Sequence, residues 1–402
     1  MMNILFVSLG CDKNLVDSEV MLGLLAEKGY GFTDDEMEAD VIVVNTCCFI
    51  GDAKEESVNT ILEMAEHKKD EKCKALIVTG CMAQRYKQEI IDEIPEVDAV
   101  LGTTTYDSII EAVEEALGGE HMLKCEDIDR LVLTNAKRML TTGGHYAHLK
   151  IAEGCDKHCT YCIIPKLRGN YRSFPMEKLV KEAEELAAQG VKELILVAQE
   201  TTLYGTDIYG KKSLHLLLKE LCKIKGIRWI RVQYCYPEEI YDELIQTMKE
   251  ETKVCNYLDL PIQHASDRIL KRMGRRTSQA DLRAIIGKLR QEIPDICLRT
   301  TLISGFPGET EEDHEELMNF VDEMEFDRLG VFTYSAEEDT PAATMPDQIP
   351  EELKEERRDE IMELQQEISF EKAEDMVGKS LWCMIEGKVA DEYAYVARTY
   401  KD

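Results

Sequence analysis

Three short apolar segments near the start of the sequence each lead directly into a cysteine. They are ILFVSLGC, which ends at Cys11, VIVVNTC, which ends at Cys47, and ALIVTGC, which ends at Cys81. Continuous apolar runs of this length are typical of strands buried on both faces of a parallel sheet. Because the carboxyl ends of parallel strands meet at one edge, we expect the three thiols to converge there. Three unrelated buried thiols, packed as small apolar groups, are the alternative.

Helical segments alternate with these strands. The segment 14–29 carries an apolar stripe, with Asn14 as a candidate N-cap, Asp17 three residues later and a closing glycine. Strands that alternate with helices predict an α/β fold, here a doubly wound parallel sheet. We place this first domain at residues 1–117 and a linker at 118–147.

A longer series of strand and helix patterns begins near residue 148. The helices between the strands include 177–190 and 311–324, the second with Thr310 as its N-cap. Six β/α repeats predict a partial (β/α)6 barrel, with its functional site at the carboxyl ends of the strands. We place this domain at residues 148–372. Its candidate strands span residues 149–152, 193–199, 227–234, 257–263, 297–305 and 327–335.

The last part of the sequence follows a different pattern. A charged helical stretch at 351–376 leads into residues that alternate like antiparallel strands. Residues 373–402 are too few to close a β-domain, so we expect a partial, truncated antiparallel β-barrel there.

Charge limits the classes of partner. The 402 residues include 48 basic and 79 acidic side chains, which gives a net charge of −31. A protein that grips nucleic acid through its phosphates carries a basic face, so direct nucleic-acid binding is not expected. Solubility alone or a basic macromolecular partner would account for the acidic surplus.

Apolar patterning and cysteine content indicate the compartment. No apolar run is long enough to span a membrane, and the N-terminus lacks the features of a secretory signal. We therefore expect a cytoplasmic protein with no membrane partner. In a reducing compartment, 14 cysteines favour metal binding or catalysis over a disulfide framework.

A second group of three cysteines lies in the stretch EGCDKHCTYCIIP, at Cys155, Cys159 and Cys162. The spacing is C-x3-C-x2-C, directly after the first barrel strand. A 4Fe–4S cluster held by three thiolates leaves one iron with an open position that a small ligand can chelate. The alternative is a zinc site that uses His158, although adjacent residues rarely ligate one tetrahedral metal. A disulfide is disfavoured in a reducing compartment.

Longer motifs carry a family resemblance. C-x3-C-x2-C with Tyr161 before its last cysteine resembles the radical S-adenosylmethionine superfamily. The string EGCDKHCTYCIIPKLRGNYRS resembles the methylthiotransferases of that superfamily, which add a sulfur and a methyl group to an unactivated carbon. The stretches LDLPIQHASDRILKRM, TTLISGFPGETEED and GVFTYSAEEDTPAATM agree, so the resemblance covers essentially the whole chain. It implies that the partial β-barrel is TRAM-like.

The family has two branches that differ in substrate. One modifies an adenosine of transfer RNA, and the other modifies an aspartate of ribosomal protein S-twelve in the small subunit. The stretches SLGCDKNLVDSE, NTCCFI and QETTLYGTDIYG resemble the ribosomal-protein branch, although Asp12 and Cys48 depart from its usual proline and glycine. The acidic charge independently favours a basic protein.

We therefore predict methylthiolation of the β-carbon of an aspartate in ribosomal protein S-twelve, free or within the small ribosomal subunit. Transfer RNA adenosine is the alternative substrate. A non-catalytic iron–sulfur electron carrier is the alternative class of protein.

The resemblance assigns one 4Fe–4S cluster to each cysteine group. The barrel group would hold the cluster that binds S-adenosylmethionine, and the N-terminal group would hold a cluster that delivers sulfur. A one-electron donor of the flavodoxin or ferredoxin type would serve the enzyme. All six cysteines are thus predicted metal ligands and catalytic residues: Cys11, Cys47, Cys81, Cys155, Cys159 and Cys162.

Other predicted cofactor contacts follow from the same resemblance. Some end the second barrel strand, where the superfamily binds the methionine amino group, and others belong to the glycine-containing GFPGET turn. Ordinary core packing is the alternative for the tyrosine. The predicted contacts are Tyr161, Gln199, Glu200, Thr201, Gly305, Phe306 and Gly308.

Several further residues have two interpretations. Arg299 and His264 either contact the cofactor or are satisfied internal polar groups, and we favour the second. Cys48 is a candidate replacement for Cys47 as a ligand. A basic cluster stands out in the acidic chain, and a solvated helix end is its favoured interpretation. This cluster consists of Lys271, Arg272, Arg275 and Arg276.

Overall fold

The computed structural model describes residues 2–69, 72–390 and 392–402. They form two compact units. The first unit comprises the chain up to residue 141 with residues 153–157 and 162–172, and the second comprises residues 142–152, 158–161 and 173–402.

The first unit is built on a parallel sheet. Its strands are β1 (Asn3–Ser8), β2 (Gly31–Phe32), β3 (Val41–Thr46), β4 (Ala75–Gly80), β5 (Ala99–Leu101) and β6 (Met122–Lys124). Their order across the sheet is β2-β1-β3-β4-β5-β6, and every pairing is parallel. Every residue of β3 and β4 is buried, which explains why these segments lack polar alternation.

Helices cover both faces of this sheet. Ile42 and Val44 belong to one apolar core, whereas Val41 and Val43 belong to a second core on the opposite face. The predicted doubly wound sheet is therefore confirmed. The helices are α1 (Asp12–Lys28), α2 (Gly51–Glu66), α3 (Cys81–Tyr86), α4 (Gln88–Glu93), α5 (Ile109–Leu117) and α6 (Ile164–Arg168).

Helix α1 begins earlier than predicted. It starts at Asp12 with Cys11 in the N-cap position, so Asn14 lies inside the helix and the predicted cap is wrong. The Asn14 amide instead donates to the carbonyl oxygens of Leu9 (2.8 Å) and Thr46 (3.1 Å). Leu9 directly follows β1 and Thr46 ends β3, so the helical pattern of the segment could not reveal these partners. The predicted glycine stop is confirmed, since the C-cap residue is left-handed.

The second unit is built on a parallel sheet of six strands. The strands of the remaining chain are β7 (Tyr146–Lys150), β8 (Ala152–Glu153), β9 (Arg172–Ser173), β10 (Glu193–Val197), β11 (Trp229–Val232), β12 (Val254–Asp259), β13 (Cys297–Ser304), β14 (Arg328–Thr333), β15 (Cys383–Lys388) and β16 (Tyr395–Thr399). The sheet order is β14-β13-β12-β11-β10-β7, so each strand lies beside its predecessor in the sheet. This succession is the predicted open (β/α)6 arrangement.

Helices connect the strands of the second sheet, and one more helix follows its last strand. They are α7 (Met176–Ala188), α8 (Thr206–Tyr209), α9 (Leu214–Cys222), α10 (Asp242–Glu250), α11 (Asp267–Arg272), α12 (Gln279–Glu292), α13 (Glu311–Met324) and α14 (Glu351–Glu374). Short 3-10 turns lie at Glu36–Glu38, Tyr106–Ser108, Pro237–Glu239 and Pro341–Thr344. No helix among the described residues is both long enough and apolar enough to cross a membrane.

The last two strands form an antiparallel hairpin that is fixed to the second sheet by buried charge. Glu193 of β10 is fully buried and accepts a 2.9 Å hydrogen bond from Nε of Arg231 on β11. Its other carboxylate oxygen accepts from Arg398 on β16. The hairpin therefore carries one of the two arginines that neutralise an interior carboxylate of the sheet.

The predicted cap of helix α13 is confirmed. The Thr310 hydroxyl accepts from the Asp313 amide, and the Asp313 carboxylate accepts from the Thr310 amide at 2.8 Å, which completes a capping box. We expect Thr310→Ala to lower the free energy of unfolding by about 1 kcal/mol, because it removes one side of this box. Chemical denaturation measures the loss. Thr310→Ser keeps the hydroxyl and should retain most of the stability; an equal loss in both variants would contradict the capping role.

Acid should destabilise this region through Asp313. Burial opposes its ionisation, but hydrogen bonds from Arg268, Ser266 and Thr310 outweigh burial and lower the pKa of Asp313 to about 2. A carboxyl with a depressed folded-state pKa adds stability above its ordinary pKa of 3.8, and this stability is lost as pH falls toward 2. Asp313→Asn should therefore be less stable at pH 7 and show a smaller stability loss between pH 4 and pH 2. A parallel decline of both proteins in acid denaturation would refute this.

Candidate functional site

The parallel register of the first sheet brings three cysteines to one edge. Strand β3 pairs with β4 so that Thr46 lies opposite Gly80, the last residue of each strand. Cys47 and Cys81 therefore leave the sheet side by side. Cys11 follows β1, which pairs with β3 on the side away from β4, and it occupies the N-cap position of helix α1.

The three thiols lie close enough to perturb one another. Burial, together with the nearby Cys81 and Cys11 thiols, raises the pKa of Cys47 to about 12. Burial also raises the pKa of Cys81, and Cys11 contributes in the same direction. Cys47 and Cys81 are buried, whereas Cys11 is exposed. A bound iron cluster would supply the positive charge that stabilises these groups as thiolates.

Glycines permit the close approach of the strand ends. Gly10 has a φ of 88°, and a Cβ there would lie 2.7 Å from the Cβ of Cys47. Gly80 has a φ of 94°, and its Cβ would lie 2.5 Å from the carbonyl oxygen of Thr46. Both positions combine a left-handed backbone with contacts that no other residue could accommodate.

Cys48 lies beside the three thiols but faces an apolar core. It is fully buried among residues of the core that contains Ile42 and Val44. Burial and the nearby Cys81 thiol raise the pKa of Cys48 well above its usual range, while Arg85 acts in the opposite direction. Cys81 belongs to the same core, so Cys48 stays a candidate ligand beside it.

A buried arginine adjoins the same thiols, and sequence analysis missed it. Arg168, on α6, is 1% exposed. Its guanidinium donates to Asp17 at 2.8 Å, to Glu153 at 3.2 Å and to Asn14 at 2.8 Å. Burial raises the pKa of the Cys81 thiol, and the positive charge of Arg168 acts in the opposite direction with a smaller effect. The sequence offers no local signal for this role, because the partners come from three separate stretches of chain.

The second cysteine group consists of Cys155, Cys159 and Cys162. Two of its members, Cys155 and Cys162, belong to the first unit. Cys155 is buried, and its amide donates to the carbonyl oxygen of Gly169 at 3.1 Å. The preceding Gly154 has a φ of 75°, and a Cβ there would lie 2.0 Å from the carbonyl oxygen of Asn170. Only glycine fits this turn, which holds the start of the cysteine loop against its end. Cys162 is half-buried.

Cys159 and its neighbours belong to the second unit. The buried Cys159 sulfur lies 3.8 Å from the Tyr236 hydroxyl. Thr160 anchors this part of the loop: its amide donates to the Met273 carbonyl at 2.9 Å, and its hydroxyl donates to the Arg272 carbonyl at 2.8 Å. The end of helix α11 thus fixes the backbone on which the second cysteine sits.

The donor sets fit iron–sulfur clusters. Each group offers three thiols, and thiolate is the ligand that such clusters take. Among the described residues, no three His, Cys, Asp or Glu side chains converge as they would around a single ion. In a 4Fe–4S cluster each thiolate binds its own iron, so the ligands surround a group of atoms rather than one point. Two such clusters, each with one iron lacking a protein ligand, match the residues present.

The end of strand β10 offers a buried acceptor. The Gln199 side-chain oxygen is buried and accepts no hydrogen bond from the described residues, which suits a ligand with a cationic donor. Glu200 accepts from the amide of Thr202 at 2.8 Å, and the Thr201 hydroxyl donates to the carbonyl oxygen of Gln233 at 2.7 Å. The last two contacts hold the strand end in place.

The GFPGET turn uses its backbone donors within the protein. The amides of Gly305 and Phe306 both donate to the Glu309 carboxylate, at 2.9 and 3.2 Å. The amide of Gly308 donates to the carbonyl oxygen of Asp347 at 2.7 Å. Any contribution of this turn to a cofactor site therefore comes from its shape.

Tyr161 packs against an apolar cluster. Its ring meets the ring of Phe306 edge to face, with centroids 6.5 Å apart. The same cluster contains Ile269, Met273 and Tyr334. This arrangement provides an apolar wall directly beside the cysteine loop of the second unit.

One residue of the predicted solvated basic cluster is not solvated. Arg275 is 7% exposed, stacks over the Tyr236 ring at 4.3 Å and donates to the Pro261 carbonyl at 3.0 Å. The solvated interpretation is therefore wrong for Arg275, because cation–π stacking offsets the loss of hydration. Lys271 and Arg276 are exposed.

His264 and Arg299 both have internal partners. The buried His264 accepts at Nδ1 from the Ser266 amide at 3.0 Å, and its Nε2 lies 3.5 Å from the Glu309 carboxylate. Arg299 donates to Asp259 at 2.6 Å. The contact agrees with the favoured interpretation of Arg299 as a satisfied internal polar group. His264 is internal, but its Nε2 neither accepts nor donates a hydrogen bond among the described residues.

Comparison with known proteins defines the class. Residues 3–102 match the uncharacterized protein family UPF0004, and residues 149–321 match the Radical SAM superfamily. The fold is similar to that of TsrM, a radical S-adenosylmethionine methyltransferase from Kitasatospora setae solved with cobalamin and a [4Fe-4S] cluster bound. The TM-score is 0.58 at 14% identity, over 85% of this chain and 77% of that chain. The chain thus has the fold of a radical S-adenosylmethionine enzyme.

Sequence relatives identify the family. The chain is 66% identical over 401 residues to the ribosomal protein uS12 methylthiotransferase RimO of Lachnoclostridium phytofermentans, covering 100% of this chain and 91% of that protein. It is 51% identical over 402 residues to the RimO protein of Clostridioides difficile, covering 100% and 90%. The chain belongs to this family. Membership confirms the predicted radical S-adenosylmethionine methylthiotransferase with two 4Fe–4S clusters.

Iron content should follow the two cysteine groups. After anaerobic reconstitution, Cys81→Ala should hold about four iron atoms per chain where the parent holds about eight, because one cluster loses a ligand. Iron and sulfide assays with Mössbauer spectra measure this. Cys48→Ala and Cys222→Ala, a thiol on α9, serve as matched controls and should keep the full content. Loss of a cluster in Cys48→Ala would make Cys48 a ligand.

Proposed function

We propose that this chain transfers a methylthio group to the β-carbon of an aspartate in ribosomal protein uS12. One observation carries the proposal. The chain has one group of three cysteines at the edge of the first parallel sheet and another in the loop 155–162, and it is 66% identical to a uS12 methylthiotransferase. The formal charge of −31 supports a basic protein as the substrate.

The six cysteines have separate roles in this proposal. Cys155, Cys159 and Cys162 would hold the cluster that binds S-adenosylmethionine. The N-terminal group would hold the cluster that takes part in sulfur delivery. When bound, the two clusters supply one-electron cleavage of S-adenosylmethionine and sulfur transfer. No side chain of the protein can perform this chemistry on an unactivated carbon. The N-terminal ligands are Cys11, Cys47 and Cys81.

The surrounding residues bind, orient and exclude water. Gln199 has a buried acceptor that suits the methionine ammonium group of S-adenosylmethionine. Glu200 and Thr201 keep that strand end in position through their internal hydrogen bonds. Tyr161 and Phe306 contribute an apolar wall that limits the access of water to a reactive centre. Gly305 and Gly308 shape the adjoining turn.

The domain roles follow the sequence boundaries. We assign the sulfur-delivering cluster to residues 1–117, a linker to 118–147, the radical S-adenosylmethionine core to 148–372 and TRAM-like strands to 373–402. A small one-electron donor of the flavodoxin or ferredoxin type would reduce the clusters in the cytoplasm, where thiols stay reduced.

The decisive test is the mass of ribosomal protein uS12 after anaerobic incubation with the reconstituted enzyme, S-adenosylmethionine and a reductant. We expect a methylthio increment on one aspartate. Cys155→Ala should form neither product nor 5′-deoxyadenosine, because it loses the cluster that binds S-adenosylmethionine. Cys81→Ala should still form 5′-deoxyadenosine but no product. Cleavage of S-adenosylmethionine by Cys155→Ala would refute the assignment.

Substrate binding against salt separates the protein and RNA substrates. Affinity for transfer RNA would fall steeply as salt rises, because binding to a polyanion releases counterions. We expect no salt-sensitive complex with transfer RNA and a measurable complex with uS12. A methylthio group found on transfer RNA and not on uS12 would favour the other branch.

A further inference from the structure

We infer that Arg168 is a positioning residue of the site formed by Cys11, Cys47 and Cys81, and that its positive charge raises the reduction potential of the cluster held there. The inference rests on the proposed assignment of that cluster. It goes beyond the six ligands to a residue that touches no substrate and acts through the cysteine sulfur.

The geometry fixes the guanidinium in one place. Arg168 is 1% exposed and uses both terminal nitrogens: Nη1 donates to Asp17 and Glu153, and Nη2 donates to Asn14 at 2.8 Å. Leu167, the preceding residue, packs in the same apolar core as Cys81, and the Arg168 charge acts on the Cys81 thiol. A planar fork with several simultaneous partners cannot rotate away, so the charge is held beside the sulfur.

The charge balance explains why an arginine is needed. Asp17 and Glu153 are both buried, with side chains 4% and 7% exposed. Without Arg168, two carboxylates would face the thiolates in a medium of low dielectric constant, and like charges repel strongly there. A guanidinium keeps its proton in proteins, and here it pairs with two carboxylates. The arginine therefore stays charged.

The position of Arg168 in the chain has a consequence for both cysteine groups. It ends the short helix that follows Cys162, and Glu153 precedes Cys155 by two residues. The segment 153–168 carries the three ligands of the proposed cluster that binds S-adenosylmethionine. The same segment supplies Arg168 and Glu153, two of the charges around the N-terminal cysteine group. Within the first unit, the charge environment of the N-terminal group depends on this later segment being in place.

The sign of the effect follows from electrostatics. Reduction adds an electron, so a nearby positive charge stabilises the reduced cluster more than the oxidised cluster and raises the potential. Hydrogen bonds to cluster sulfur act in the same direction. A nearby carboxylate has the opposite effect. Removal of Arg168 should therefore lower the potential, and neutralisation of Asp17 should raise it.

The experiment uses the full chain with Cys155→Ala, Cys159→Ala and Cys162→Ala, so that only the N-terminal group can hold a cluster. The midpoint potential is measured by redox titration followed by electron paramagnetic resonance, with iron content as a second readout. Arg168→Gln should shift the potential to a more negative value and Asp17→Asn to a more positive value. Arg168→Lys keeps the charge and should remain nearer to the parent than Arg168→Gln does.

The outcomes distinguish charge from packing. Equal potentials in all variants, with iron retained, would overturn the inference. Shifts of the potential in the same direction in Arg168→Gln and Asp17→Asn would also overturn it. A charge effect must have opposite signs in the two variants, whereas disturbed packing need not. If Arg168→Gln fails to fold, the Asp17→Asn shift and the Arg168→Lys comparison decide. Absence of iron from the parent itself would refute the cluster assignment, and the inference with it.

Discussion

The parallel register of the first sheet is the constraint on which the candidate sulfur-delivering site depends. Thr46 and Gly80 pair as the last residues of neighbouring strands, so the cysteines that follow them start at the same level. The apolar side chains of both strands are buried on two faces, and a one-residue slip would exchange those faces. Burial of the sheet therefore fixes the register, and the register fixes the thiols.

Buried charge is the second requirement of the site. Helix α1 turns Asn14, Asp17 and Glu19 inward, where each finds a partner: Arg168 for the first two and Arg138 for Glu19. A helix that buries acids is costly unless the acids are paired with cations. The same helix has Cys11 in its N-cap position, so its buried polar side chains and this thiol lie in one region of the first unit.

Fold class and cysteine groups could be predicted because their signals are local. Apolar runs, glycine stops and the capping residue Thr310 all act within a few residues of chain. Predictions that depended on partners outside the segment were wrong. Asn14 lies inside its helix and donates to the carbonyl oxygens of Leu9 and Thr46, and Arg275 is buried where Tyr236 stacks on it. The first strand of the second sheet was also placed late, at 149–152 instead of Tyr146–Lys150, because polar His148 and Lys150 are buried there.

The sequence by itself determined the two three-cysteine groups, the alternating strands and helices and the acidic charge, since each is a property of residue type and spacing. Only the tertiary structure decided what surrounds the thiols. Asp17 is more than a hundred residues from Arg168 and Glu153 along the chain, and the three side chains meet only in the folded first unit. A buried ion network is stable only when its charges compensate one another in the folded structure. Residue spacing along the chain does not reveal which charges meet.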